Sequence, residues 1–169
     1  GPIGYCDTEH AQYREILADL IAAFDVRAVV VSSLIGHSLD ALDTGLPTFV
    51  VLHDLFPFCP ALFGWFEQTC VECGPSSLAR CFASNPLNVF WQHADVKRWQ
   101  ALRTAYGARL ADESVMIVAP SRSVHERYVE LFPLLRGRSW RLIAHGLASV
   151  PVPLLPRPAE RLKLLVPGR

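Results

Sequence analysis

The stretch Thr48-Phe49-Val50-Val51-Leu52-His53-Asp54 is a β-branched and apolar run that ends in two polar residues, and it is the strongest indication of the fold. A similar run, Ala28-Val29-Val30-Val31, precedes it, and two more follow at 114–119 and 140–144. Continuous β-branched runs are typical of strands that are covered on both faces of a parallel sheet. Segments with helical spacing of apolar residues alternate with these runs, at about 7–24, 91–110 and 121–132. The sequence therefore predicts an α/β fold, a Rossmann-like open parallel sheet with flanking helices.

Length and composition agree with one folded domain and exclude several classes of protein. The chain has 169 residues, 51% of them hydrophobic, with 16 basic and 16 acidic side chains. Such a chain can bury a real core, and its zero net charge argues against a nucleic-acid partner recruited by bulk charge. No uncharged apolar stretch reaches the roughly 18 residues of a membrane span. The five cysteines, an odd number, fit a reducing compartment, so we expect a cytoplasmic protein, either free or peripheral to a membrane.

The chain divides into three parts. Residues 1–149 form a partial Rossmann-like domain, whose first helix we expect to be capped by Asp7. An irregular, cysteine-containing insertion interrupts this domain at about 57–90, where regular periodicity lapses. A proline-rich linker follows at 150–160, and residues 161–169 are either a terminal strand or the start of a further domain.

Polar residues stand at the carboxyl ends of the predicted strands, where open α/β sheets bind their ligands. They are Ser32-Ser33, His53-Asp54, Pro120-Ser121 and His145-Gly146. His53 is the preferred functional residue, because a neutral imidazole both donates and accepts hydrogen bonds to hydroxyl-rich ligands. The alternative is that these side chains simply end strands and cap helices, as Ser121 would cap the helix that follows it.

Four of the five cysteines lie in the insertion, with the spacing C-x10-C-x2-C-x7-C. The C-x2-C pair can place two thiolates on one metal ion, so the set is a candidate structural zinc site. Free or redox-active thiols are the alternative, and the remaining Cys6 is expected to be buried and inert. The four candidate ligands are Cys59, Cys70, Cys73 and Cys81.

Ser38 is the candidate nucleophile of a serine hydrolase, because Gly36-His37-Ser38-Leu39-Asp40 is similar to a G-x-S-x-G elbow. Aspartate occupies the fifth position, and four residues separate the β-branched run from the turn. The more favoured interpretation is that Ser38 caps a short helix.

An ordered set of motifs resembles the acceptor-side, N-terminal domain of GT-B glycosyltransferases of family 4. The resemblance extends over about residues 25–169 and rests on four segments. They are Gly45-Leu46-Pro47-Thr48-Phe49-Val50-Val51-Leu52-His53-Asp54-Leu55-Phe56-Pro57-Phe58-Cys59-Pro60, Leu110-Ala111-Asp112, Val118-Ala119-Pro120-Ser121 and Ile143-Ala144-His145-Gly146-Leu147.

The resemblance implies a function for the parent protein. Such enzymes transfer a sugar from a nucleotide-sugar to a glycan or lipid-linked acceptor with retention of configuration, and need no metal cofactor for the transfer. His53 would be catalytic and face the donor sugar. Substrate contacts would come from Asp54, Ser121, His145 and Gly146, and from Arg169 at the start of the donor domain.

The acidic signature of the family's donor domain and the first strands of its acceptor domain are not in the sequence. The resemblance therefore implies a fragment that is inactive alone, in which the strand at 29–32 lies at an open edge. Such an edge is a template for self-association. A zinc-stabilised interaction module without catalysis is the second candidate function.

Overall fold

The computed structural model describes residues 1–92 and 94–146, and these form an α/β fold. The predicted linker and the segment at 161–169, which includes Arg169, lie outside the described residues. Short 3-10 helices occupy Leu39–Leu42 and Pro133–Leu135. The helices are α1 (Ala11–Ala23), α2 (Pro75–Ser84), α3 (Val96–Ala111) and α4 (Arg122–Leu131), and the strands are β1 (Val29–Val31), β2 (Thr48–Val51), β3 (Trp65–Phe66), β4 (Gln68–Thr69), β5 (Val115–Ala119) and β6 (Trp140–Leu142).

Four strands form the predicted parallel sheet, in the order β1-β2-β5-β6. Every neighbouring pair runs parallel, and Val50 of β2 stands opposite both Val31 of β1 and Ile117 of β5. These three side chains are buried, so the centre of the sheet carries the core. The fold class is thus confirmed as a Rossmann-like parallel sheet with flanking helices.

Strand β1 differs from the prediction that both of its faces are covered. Within the described residues it has a neighbouring strand on one side only, and the side chain of Val30 is 67% exposed. The apolar run identified the strand correctly. Whether the two faces of β1 are covered depends on the elements that pack against them, and the apolar run does not specify those elements.

Helix α1 is also less buried than its apolar spacing predicts. None of its 13 residues is buried within the described part of the chain. Its N-cap is His10, whose Nδ1 accepts a hydrogen bond from the backbone N–H of Tyr13 at 3.1 Å. The expected cap, Asp7, instead accepts from the N–H of Gly4 and pairs with Arg98, so its carboxylate is already engaged.

The segment at 57–90, for which we keep the name insertion, is more regular than predicted, because it contains the β3–β4 hairpin and helix α2. Helix α3 fastens it to the sheet domain through two buried side chains. Trp99 Nε1 donates to the carbonyl of Pro57 at 2.8 Å, and Arg103 Nη1 donates to the carbonyl of Cys73 at 2.8 Å. In the described ranges, no helix combines the length and apolarity needed to cross a bilayer.

Candidate functional site

The side chains of His53 and His145 meet at the carboxyl edge of the sheet. Their rings stack with centroids 5.1 Å apart and planes inclined by 10°. The parallel hydrogen bonding continues past the strand ends, since Leu52 N–H donates to Val118 O at 2.9 Å and Ile143 N–H to Ala119 O at 3.0 Å. The chain segments after β2 and β6 are therefore both bonded to β5. This bonding brings together two histidines that the sequence separates by 92 positions.

An open groove of about 360 Å³ lies beside His53. One wall comes from the segment that follows β2, and the other from the first turns of α4. The exposed imidazole of His53 can donate one hydrogen bond and accept another. The residues that line the groove are His53, Asp54, Leu55, Leu62, Phe63, Ser123, Val124 and Arg127.

Asp54 fixes the turn after β2. Its Oδ1 accepts the backbone N–H of Phe56 at 2.8 Å, and its carbonyl accepts the hydroxyl of Tyr128 at 2.5 Å. Desolvation by burial raises the pKa of this carboxyl, although the Phe56 N–H and the charge of His53 oppose the shift. The carboxylate therefore shapes the loop that carries His53.

Ser121 caps helix α4, as predicted. Its Oγ accepts from the backbone N–H of Val124 at 3.2 Å and shares a hydrogen bond of 2.9 Å with Oγ of Ser123. The capping role engages the hydroxyl that was expected to meet a ligand. Ser123, rather than Ser121, lines the groove, and Gly146 follows His145 on the exposed segment after β6.

Ser123 and Arg127 are groove residues that sequence reasoning missed. Both lie on α4, where a spacing of four residues places them on one face. Helical spacing counted from the predicted cap pairs them with each other, but it does not tell that this face meets the groove. The guanidinium of Arg127 pairs with Glu130 at 2.5 Å and donates to the carbonyl of Cys70. Arg127 therefore links α4 to the insertion at the end of the groove.

A second cavity, of about 140 Å³, lies inside the insertion and is lined by all four cysteines found there. All are free thiols, and Arg103 Nη2 donates to Sγ of Cys73 at 3.0 Å. Elsewhere, burial raises the pKa of Cys6 to about 11, in keeping with an inert thiol. As they stand, no three His, Cys, Asp or Glu side chains of the described chain are arranged to hold one metal ion. We name this space the four-cysteine cavity, lined by Cys59, Cys70, Cys73 and Cys81.

Ser38 is fully buried and donates its hydroxyl to Oδ2 of Asp40 at 2.7 Å. It precedes the 3-10 helix at Leu39–Leu42, but its side chain makes no capping hydrogen bond. A serine nucleophile needs an exposed hydroxyl beside a base. The position of Ser38 therefore does not favour the hydrolase alternative.

Comparison of the chain with protein-family models, with curated proteins and with solved structures finds no match. The fold and the site define an α/β protein whose Rossmann-like parallel sheet carries a ligand-sized groove at its carboxyl edge. Its function is inferred from the residues at that edge.

Proposed function

We propose that this chain is the acceptor-side part of a retaining GT-B glycosyltransferase whose parent protein acts in the cytoplasm, free or at a membrane surface. The parent would transfer a sugar from a nucleotide-sugar to a glycan or a lipid-linked acceptor. The observation that carries the proposal is the stacking of His53 on His145 beside an open groove at the carboxyl edge of the sheet. Open α/β sheets bind their ligands at this edge.

The groove chemistry suits a ligand rich in hydroxyl groups. His53 offers an N–H donor and a nitrogen acceptor, and Ser123 adds a hydroxyl that can do both. Phe63 contributes an exposed aromatic face, against which the apolar face of a sugar ring can pack. The groove is therefore a better match for a sugar than for a purely apolar ligand.

In the proposed reaction, the bond between the anomeric carbon and the diphosphate oxygen breaks. A bond to an acceptor hydroxyl oxygen forms on the same face, and the hydroxyl proton leaves with the phosphate. The role of His53 is to bind and orient the sugar at the groove. Stabilisation of the leaving diphosphate needs fixed positive charge or N–H donors aimed at it, and we assign these to a donor-binding part of the parent.

Sugar binding is tested by following the imidazole Cε1–H resonances of His53 and His145 while nucleotide-sugars and methyl glycosides are added. We expect a saturable shift of both resonances with at least one sugar. In the His53→Ala variant, the resonance of His145 should no longer shift. His37→Ala is the matched control, because His37 is exposed and packs against Tyr13 outside the groove. Lack of a shift at millimolar concentrations, or binding that is unchanged in His53→Ala, would overturn the proposal.

Sugar transfer by this chain alone is a second test. We expect no turnover when the chain is mixed with nucleotide-sugars and acceptors, because the proposed diphosphate contacts lie in another part of the parent. The measurement is release of nucleoside diphosphate, with His53→Ala as the reference. Turnover above that reference would contradict the assignment of the chain as an incomplete enzyme.

A further inference from the structure

We propose that the four-cysteine cavity binds one Zn²⁺, which fastens the separate parts of the insertion to one another. The inference is independent of the proposed sugar chemistry, because the four-cysteine cavity and the groove beside His53 are lined by different residues. It starts from the convergence of four thiols that the sequence spreads over 23 positions. Cysteine thiolates are the usual ligands of structural zinc.

The four thiols come from three separate places in the fold. Cys59 lies in the segment after β2, and Cys81 lies on the buried face of α2. The C-x2-C pair, Cys70 and Cys73, occupies the irregular turn between β4 and α2. A metal ion held by all of them would cross-link the first residues of the insertion, the turn after the hairpin and helix α2. A small insertion with little core of its own gains most from such a link.

A buried positive charge faces these sulfurs without a carboxylate partner. Arg103 is 9% exposed, and its guanidinium donates to both the carbonyl and the Sγ of Cys73. Among the described residues no carboxylate forms an ion pair with it. Buried charges in proteins are normally paired. Zn²⁺ held by four thiolates carries a net negative charge, so the metal-loaded cavity would supply the missing countercharge.

Other N–H groups also point at the cysteine sulfurs. The backbone N–H of Gly64 donates to Cys59 Sγ at 3.3 Å, and Asn85 Nδ2 donates to Cys81 Sγ at 3.2 Å. Sulfur is a weak acceptor as a thiol, and an anionic sulfur accepts such bonds more strongly. Donors of this kind orient metal ligands in established sites.

The thiols surround a space and are not yet arranged to hold an ion, so binding requires the cavity walls to close. The C-x2-C segment lies outside the helices and strands, so a shift of its thiols toward the cavity need not break a regular element. On binding, each ligating thiol gives its proton to solvent and its sulfur bonds to the metal.

Metal content is measured by mass spectrometry on the whole chain, purified under reducing conditions, with Co²⁺ substitution as a second probe. We expect about one zinc per chain, and a sulfur-to-cobalt charge-transfer band with the d–d bands of tetrahedral Co²⁺. Cys73→Ser should lose the metal, and the matched control Cys6→Ser should retain it. Zinc far below one per chain together with no charge-transfer band would overturn the proposal, as would equal metal loss in the two variants.

Arg103→Met provides a test that does not remove a ligand. If the guanidinium balances the charge of the metal site, its loss should weaken zinc binding about 10- to 100-fold, measured by competition with a chelator. Arg80→Met is the control, because Arg80 also lines the cavity but lies over the ring of Phe66. Unchanged affinity in Arg103→Met would refute the charge argument, whereas the Co²⁺ spectrum of the unmodified chain decides metal binding even if a variant fails to fold.

Discussion

The hydroxyl of Tyr128 donates a hydrogen bond to the carbonyl of Asp54 at 2.5 Å, across 74 positions of sequence. This bond ties helix α4, which follows β5, to the loop that carries His53 after β2. The same hydroxyl lies 3.3 Å from the carbonyl of Phe56, so it serves two backbone oxygens of one turn. The two elements that form the walls of the groove are therefore joined by this hydroxyl.

Tyr128→Phe should destabilise the protein by about 1–2 kcal/mol, because it leaves buried carbonyl oxygens without their donor. The midpoint of urea unfolding measures the effect. Tyr5→Phe is the control: this tyrosine is exposed, and its hydroxyl accepts a single bond from Asp95 N–H. If the two variants lose the same stability, the Tyr128 bonds contribute nothing specific.

Ionised Asp40 should raise the free energy of unfolding, and this stabilisation should be lost in acid. Its nearly buried carboxylate accepts hydrogen bonds from Ser38, from Arg14 and from the N–H of His10. Desolvation by burial raises the pKa of Asp40, but the hydrogen bonds from Ser38, Arg14 and His10 outweigh it and lower the pKa overall. Because the pKa of Asp40 is lower in the folded than in the unfolded chain, its ionised carboxylate stabilises the folded protein at pH values above the unfolded pKa of about 3.9. This stabilisation is lost as the pH falls through the folded pKa.

Asp40→Asn tests this dependence. At neutral pH the variant should lose about 1–3 kcal/mol relative to the original chain, and the difference should shrink as the pH falls below the range of a free aspartate. Urea unfolding at a series of pH values measures it. Asp43→Asn is the control, since its carboxylate is exposed and pairs with Arg109 at the surface. A difference that stays constant with pH would contradict the prediction.

Gly64→Ala should be more harmful than Gly36→Ala. Both glycines have positive φ, +63° and +79°, which alanine adopts only with strain. A Cβ at Gly64 would also stand 2.7 Å from Cδ1 of Leu55, whereas one at Gly36 would meet nothing within 4 Å. Backbone strain should cost each variant about 1 kcal/mol, and crowding should add about 1 kcal/mol at Gly64. Equal thermal stabilities would show that Leu55 moves aside freely.

The open edge at β1 should promote self-association. Val30 is 67% exposed on a strand whose outer backbone groups have no strand partner within the described residues. A second copy can pair there, and a lysine on an edge strand discourages such pairing. We expect concentration-dependent dimerisation in sedimentation velocity, reduced by Val30→Lys but not by Val89→Lys. Val89 is similarly exposed, but lies outside the sheet. A monodisperse monomer at micromolar concentration would contradict the prediction.

The sequence alone was sufficient to predict the elements whose structure depends on local patterns. Strands β2 and β5 and the Ser121 cap follow from apolar runs and from helix-start chemistry, which act within a few residues. The placement of His53 and His145 at one edge follows from a parallel sheet, because all carboxyl ends then lie on the same side.

Features fixed by distant contacts were not predictable in this way. The cap of α1 is His10 because the carboxylate of Asp7 is held by Gly4 and Arg98. The hairpin was missed because long-range bonds from α3 to Pro57 and Cys73 hold the insertion, and these bonds leave no periodic pattern. Helix α2 was overlooked although Pro75 at its first position and the helical spacing of its buried residues are local signals. The contribution of Arg127 to the groove likewise depends on where α4 packs.

Helix α1 is held by polar contacts at one of its ends. Its polar contacts, from His10 and Arg14 to Asp40, lie at its N-terminal end, whereas Phe24 at its C-cap is 74% exposed. A helix held at one end and without buried residues can unfold while the sheet stays intact. Backbone amides near Leu20 should therefore exchange with deuterium well before those of β5, and the first proteolytic cuts should fall in the last turn of α1.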